Sequence, residues 1–272
     1  MALPLAAVLL AACSGAATST TLQSSVPSAS ATIAATARSA ETPAPTASAA
    51  VGWSLVALGD SIVSEGYPQL FVDLVKARTG KSVTVASFAD GSNTTTTVLK
   101  ALRDQAPIRT AVADADIITI SVGGNDADPF ASYPAGTCAK GAKPSACLAR
   151  YAPDLAVNYD AILTEIQELR AGKRTLIRPT TDYNPFIGWD AAPTTSFGLD
   201  FYRQVADAET ALVCDLAKKH ALVCADIYHA FNGPDGTKDP APFLASDHAH
   251  PSAAGSQRIA EVMLEAGLAP LE

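Results

Sequence analysis

A serine hydroxyl is a weak nucleophile until a neighbouring base takes its proton. Residues that could do such chemistry are few in this 272-residue chain, which has only four histidines: His220, His229, His248 and His250. His250 follows Asp247 by three residues, close enough in one local turn for the carboxylate to orient the imidazole and stabilise its cation. Far upstream, Gly59-Asp60-Ser61 ends a compact apolar run, which puts Ser61 at a strand-to-helix turn. A carbonyl oxygen attacked by that serine gains negative charge and needs donors, each worth about 3–4 kcal/mol. The backbone N–H groups of Ser61 and Gly91 and the amide of Asn125 are the candidates. Gly91 has no side chain to obstruct its backbone. The expected set is Ser61 as nucleophile, His250 as base and Asp247 as orienting acid.

Other readings use the same residues. Ser is a favoured helix N-cap, and Ser61 fits that position. Asn125 and Asp126 fit a turn after Gly123-Gly124, and no chemistry is assigned to Asp126. His250 fits a helix entry before Pro251, His248 a surface position, and His220 and His229 structural positions. Asp247, His248 and His250 also resemble the ligand cluster of a metal-dependent hydrolase. Adjacent residues usually point apart, however, and no HxxxH or HExxH pattern supplies partners, so neither metal nor other cofactor is expected. A non-catalytic envelope binding module on the same scaffold is the third reading.

Strands and helices must bring these residues together. Ser54 to Leu58 reads as a strand, and Pro68 to Arg78 carries Leu70, Phe71, Leu74 and Val75 at helical spacing. Ser82 to Ala86 is a second strand, followed by helices over Thr94 to Arg103 and Ile108 to Ala113. Asp116 to Val122 is a continuous apolar strand of the kind covered on both faces. Leu155, Tyr159, Ile162, Leu163, Ile166 and Leu169 mark one face of a long helix. Arg174 to Arg178 is a fourth strand, Gly198 to His220 a helix, Ala221 to Asp226 a fifth strand, and Pro251 to Gly267 a closing helix.

This alternation predicts a three-layer α/β/α sandwich around a parallel five-stranded sheet. Ligands of such sheets sit beyond the carboxyl ends of the strands. Ser61, Gly91 and Asn125 each follow a strand there, and Asp247 and His250 precede the last helix. After strand four, Tyr183, Phe186, Trp189 and Phe197 lie in a loop of roughly 20 residues, a length unusual unless functional. The run reads equally as the wall of an acyl or alcohol pocket and as a lid packed on its own scaffold.

Taken together, these stretches resemble the SGNH (GDSL-like lipase/acylhydrolase) family. Ala57-Leu58-Gly59-Asp60-Ser61-Ile62 looks like its GDS block, and Gly91 is similar to its second-block glycine. Gly123-Gly124-Asn125-Asp126 matches the GxND block, and Asp247-His248-Ala249-His250-Pro251 the DxxHP block, all in family order. The resemblance implies a flavodoxin-like fold, no metal, and ester hydrolysis through an acyl-enzyme on Ser61.

The rest of the chain bears on location. Residues 1–13 read as an export signal, because an apolar run too short to span a bilayer ends in Leu10-Ala11-Ala12-Cys13, similar to a bacterial lipobox with Cys13 as the lipidated residue. Residues 14–50, almost all Ser, Thr, Ala and Pro, read as a disordered linker to a hydrolase domain over 51–272. The expected location is extracellular or in the cell envelope, with a lipid anchor in the membrane as the first reading and simple secretion after cleavage of the signal as the alternative. Four further cysteines, Cys138, Cys147, Cys214 and Cys224, form no CxxC pair. Of three possible pairings, Cys138–Cys147 with Cys214–Cys224 is expected, against the alternative of four buried thiols. With 27 acidic and 19 basic residues, a net charge of -8, the chain has no electrostatic footprint for nucleic acid. The expected partner is an ester substrate, whether a small molecule, a lipid or an acylated polysaccharide.

Overall fold

The structure, a computed structural model, describes residues 52–126, 143–188 and 199–272. Four parallel strands form its sheet: β1 (Trp53–Gly59), β2 (Val83–Ala89), β3 (Ile117–Ser121) and β4 (Leu176–Pro179), in the order β2-β1-β3-β4. Successive side chains of a strand point to opposite faces, so an unbroken apolar run must be covered twice. On one face Leu55, Ala57, Ile117 and Leu176 pack against α2 (Tyr67–Thr79), α7 (Ile227–Asn232) and α8 (Ala253–Glu265). On the other, Val56, Leu58, Ile118, Ile120 and Ile177 pack against α3 (Thr95–Asp104), α4 (Ala106–Asp114), α5 (Pro144–Leu169) and α6 (Leu199–Lys219). The expected three-layer α/β/α sandwich is therefore present.

Its sheet has four strands where the sequence predicts five. The run Ala221 to Asp226 contributes a single parallel bridge, Ala225 to Thr180. Three ties explain the loss of a ladder. The Val223 carbonyl accepts a hydrogen bond from the Arg178 guanidinium at 2.9 Å instead of from a neighbouring strand. Cys224 is held to α6 by a disulfide to Cys214. One residue past Ala225, Asp226 already caps α7 through the His229 N–H. The expected Cys214–Cys224 pairing is thus formed. The expected signal, linker and Cys13, the Cys138–Cys147 pairing, Trp189 and Phe197 lie outside the described residues or side chains. Among the described residues, no helix is long and apolar enough to cross a membrane.

The chain leaves β1 to build β2 on one side and then crosses to build β3 on the other. A crevice opens at such a switch point beyond the strand ends. Gly59, the last residue of β1, leads directly into the short helix α1 (Ser61–Ser64), so that crevice opens at Ser61.

Candidate active site

Ser61 is the first residue of α1. The Asp60 carboxylate caps that helix, accepting the Ile62 N–H at 3.1 Å, so Ser61 itself is not the cap. Its own N–H has no hydrogen-bond partner among the described residues, as befits the first turn of a helix. The Gly59 carbonyl accepts the Asp90 N–H at 3.2 Å and the Asn93 side-chain amide at 2.9 Å, tying the serine turn to the loop after β2. In that loop Asp90 Oδ1 accepts both the N–H and the hydroxyl of Ser92. This tight turn leaves the Gly91 N–H without a partner among the described residues. A Cβ added to Gly91 would lie 3.8 Å from Ser61 Cβ, so the two unpartnered N–H groups belong to neighbouring residues in space.

Asn125 lies beside them, but its amide is engaged. Nδ2 donates to the Gly91 carbonyl at 3.0 Å and to the Asn93 carbonyl at 2.9 Å. Two carbonyl partners require the nitrogen on that side, and they take up both of its protons. Asn125 therefore holds the Gly91 loop in place, and donation to a bound oxyanion requires it to exchange one of these bonds. Asp126 accepts the N–H and hydroxyl of Thr95, fixing the start of α3, in keeping with a structural role.

His250 and Asp247 come together as the spacing predicts. His250 Nδ1 lies 2.7 Å from Asp247 Oδ2, while Asp247 Oδ1 accepts the N–H groups of Ala249 and His250 at 3.0 Å each. The bond to the imidazole, then those two N–H groups, hold the Asp247 carboxyl down at about 2. With Nδ1 engaged, Nε2 is the ring nitrogen left for a substrate or nucleophile. Ser61, Asn125 and His250 border one pocket of about 350 Å³. No hydrogen bond joins Ser61 Oγ to His250 in this ligand-free structure, and such contacts often tighten only when substrate binds. His248 is exposed, His220 bridges Gln167 and Asp160 between α5 and α6, and His229 pairs with Asp226. Among the described residues no three His, Cys, Asp or Glu side chains converge on a point that could hold a metal ion.

The pocket wall is largely apolar: Tyr183, Pro185 and Phe186 from the loop after β4, and Tyr202, Val205 and Ala206 from α6. The Phe186 and Tyr202 rings meet edge to face at 5.0 Å. The described part of the aromatic run thus walls the pocket.

One set of groups escaped the sequence reading. Asp182, two residues past Thr180, borders the pocket together with Asp60, and the Gly124 N–H bonds to it. Burial, reinforced by the Asp182 charge, pushes the Asp60 carboxyl up to about 8, and burial also moves Asp182 upward. Position just past a strand end was the signal available for Asp182. A carboxyl whose native value is raised binds its proton more tightly folded than unfolded. Its contribution to stability is then full below the ordinary carboxylate range and is eroded as pH climbs towards 8. The unfolding free energy obtained from denaturant titrations should fall between pH 5.5 and 8.5 by an amount on the order of 1–3 kcal/mol. Asp182→Asn should flatten that dependence.

A serine at the switch point of a parallel α/β/α sheet, bordering the same pocket as a His–Asp pair carried in before the last helix, defines a flavodoxin-like hydrolase. The sequence model of the GDSL-like Lipase/Acylhydrolase family matches residues 57–258, and the chain belongs to that family; it is a carboxylic ester hydrolase. Solved structures share the fold. A lipase from a goat rumen metagenome superposes with TM-score 0.67 at 23% identity, covering 81% of this chain and 100% of that one. An acetylxylan esterase from Geobacillus stearothermophilus gives 0.57 at 21% identity, covering 79% and 94%. An α/β hydrolase from the metagenome of Lake Arreo gives 0.55 at 20%, covering 80% and 95%. Comparison with curated proteins gives no match.

Proposed function

We propose that the protein cleaves carboxylic esters in two steps through an acyl-enzyme on Ser61. The observation that carries this reading is the His250–Asp247 contact at 2.7 Å on the rim of the pocket that Ser61 also borders. His250 Nε2 takes the Ser61 proton as Oγ attacks the ester carbonyl. Asp247 fixes the ring through Nδ1 and stabilises the imidazolium. The unpartnered N–H groups of Ser61 and Gly91 receive the oxyanion, and Asn125 holds the Gly91 loop and can give up one bond to join them. The alcohol leaves with the proton from His250, and water repeats the sequence to release the acid. The apolar wall suits the hydrocarbon part of an ester.

A p-nitrophenyl acetate assay tests the reading when combined with a serine-directed organophosphate. Labelling of Ser61 with loss of activity supports it. Full activity in the labelled protein, or abolition by a chelator alone, would sink it. Asp247→Asn places an amide against Nδ1 in place of the carboxylate. It should lower kcat by roughly a thousand- to ten-thousandfold, less than loss of the serine or the imidazole. A loss under tenfold would remove Asp247 from the mechanism.

The proposed location is the cell envelope, with Cys13 as the lipid attachment point. The Leu10-Ala11-Ala12-Cys13 run and the Ser/Thr/Ala/Pro stretch behind it support this, as does the Cys214–Cys224 disulfide, a bond typical of oxidising compartments. Cys13→Ser should move the enzyme from the membrane fraction to the soluble fraction of expressing bacteria, and equal partition of both forms would count against an anchor.

A further inference from the structure

The loop that carries His250 is largely closed on itself. The Ala245 N–H donates to the His250 carbonyl at 2.8 Å and the His248 N–H to the Ala245 carbonyl at 3.0 Å, while Leu244 and Pro251 form an antiparallel bridge. Within this ring His248 sits at φ 58°, a left-handed conformation that residues bearing a Cβ seldom adopt. A loop of this kind keeps its internal shape but needs an outside tie to fix where it sits against the nucleophile. One such tie comes from the other side of the pocket. The Tyr183 hydroxyl donates to the carbonyl of Ala249, the residue before His250, at 2.6 Å.

Tyr183 is itself well held. Its ring is 8% exposed and stacks on Phe231, with centroids 4.5 Å apart and planes within 14°. Phe231 in turn meets Phe243, at the entry to the His250 loop, at 4.8 Å. Burial keeps the phenol well above its ordinary range, so it remains a donor across the working range of an esterase. The same ring borders the pocket beside Ser61.

We infer that Tyr183 is a positioning residue for the hydrolysis, its hydroxyl latching the His250 loop at the pocket rim so that Nε2 can close on Ser61 Oγ when an ester binds. The inference deepens the reading of Ser61 and His250 given above and rests on it. An acyl or alcohol group seated against the Tyr183 ring touches the side chain that places the base, which links occupancy of the pocket to alignment of the catalytic groups.

Tyr183→Phe keeps the ring and its stack and removes only the latch. Activity is followed with p-nitrophenyl butyrate, and competent sites are counted by titration with an organophosphate that releases p-nitrophenol, so misfolded protein does not enter kcat. The latch predicts a fall in kcat per titrated site of about tenfold, the scale of one lost hydrogen bond, with KM within about twofold. The organophosphate should also react more slowly with the variant, because its attack needs the same base. Val75→Ala, which opens a cavity in the core under α2 and touches neither the pocket nor the latch, should lower the melting temperature yet hold kcat per titrated site near wild type. An unchanged kcat in Tyr183→Phe, a loss confined to KM, or an equal loss in Val75→Ala would each overturn the latch. Ser61→Ala run alongside separates the two readings: inactivity there with full activity in Tyr183→Phe removes the latch alone, whereas activity there removes the serine mechanism and the latch with it.

Discussion

Ser61→Ala is expected to leave a folded protein whose kcat on p-nitrophenyl acetate is lower by roughly four to six orders of magnitude. The size follows from the role proposed for the hydroxyl: without it no acyl-enzyme would form, and only the oxyanion donors and binding would remain to assist water. Folding should not suffer, because Ser61 Oγ accepts or donates no hydrogen bond among the described residues and the helix is capped by Asp60 rather than by the serine. His250→Ala should cost about as much, since a hydroxyl without its base is as inert as no hydroxyl. The double variant Ser61→Ala/His250→Ala should be scarcely worse than either single one, groups that act as a unit being strongly non-additive. The measurement is kcat for all three, with a thermal melt of each. Losses that multiply would mean that the two side chains act separately.

Gly59→Ala carries the second large effect, and it reaches activity through the backbone. Gly59 stands at φ 153°, and a Cβ built there would lie 2.1 Å from the Ser121 carbonyl oxygen and 2.5 Å from Val63 Cγ2. The nearer obstacle is backbone of the neighbouring strand, which cannot rotate away. Strain of about 1–3 kcal/mol at the residue, with a further 1–3 kcal/mol of overpacking, would take up much of the stability of an ordinary domain. What remains folded should also be poorly active, because the Gly59 carbonyl is the acceptor that joins the serine turn to the Gly91 loop. A melting curve together with kcat per titrated site tests both parts. Wild-type values for both would show that β1 and β3 can part at Ser121 more readily than their ladder implies. Gly91→Ala is the contrast, because its nearest neighbour would be 3.8 Å away and no clash arises.

Much of this architecture is legible in the chain because it is local. The Asp247–His250 pair follows from a spacing of three residues, and the structure closes it through two backbone N–H groups of the same turn. The sequence places Ser61, Gly91 and Asn125 at strand ends, and the structure brings all three to the switch point. What stayed hidden depends on partners distant in sequence. Asn125 is recognisable as an amide near the site, but nothing local says that its protons go to Gly91 and Asn93. Asp182 is one more acid until Asp60 is folded against it, and Tyr183 is one more aromatic until Ala249 arrives. The fifth strand was misjudged for the same reason: Leu222 to Cys224 has strand composition, but an arginine from β4 and a disulfide to α6 take up what a ladder would use.

The order in which the site is strung along the chain has a temporal consequence. The proposed nucleophile leaves the first strand, and the proposed base arrives only with the turn before α8. On the mechanism proposed above, a nascent polypeptide holding Ser61 alone would be chemically silent, and so would any proteolytic remnant that ends before Asp247. Were Ser61 and His250 to act as proposed, ester cleavage would begin only once the turn carrying His250 had docked, which would make turnover itself a gauge of completed folding.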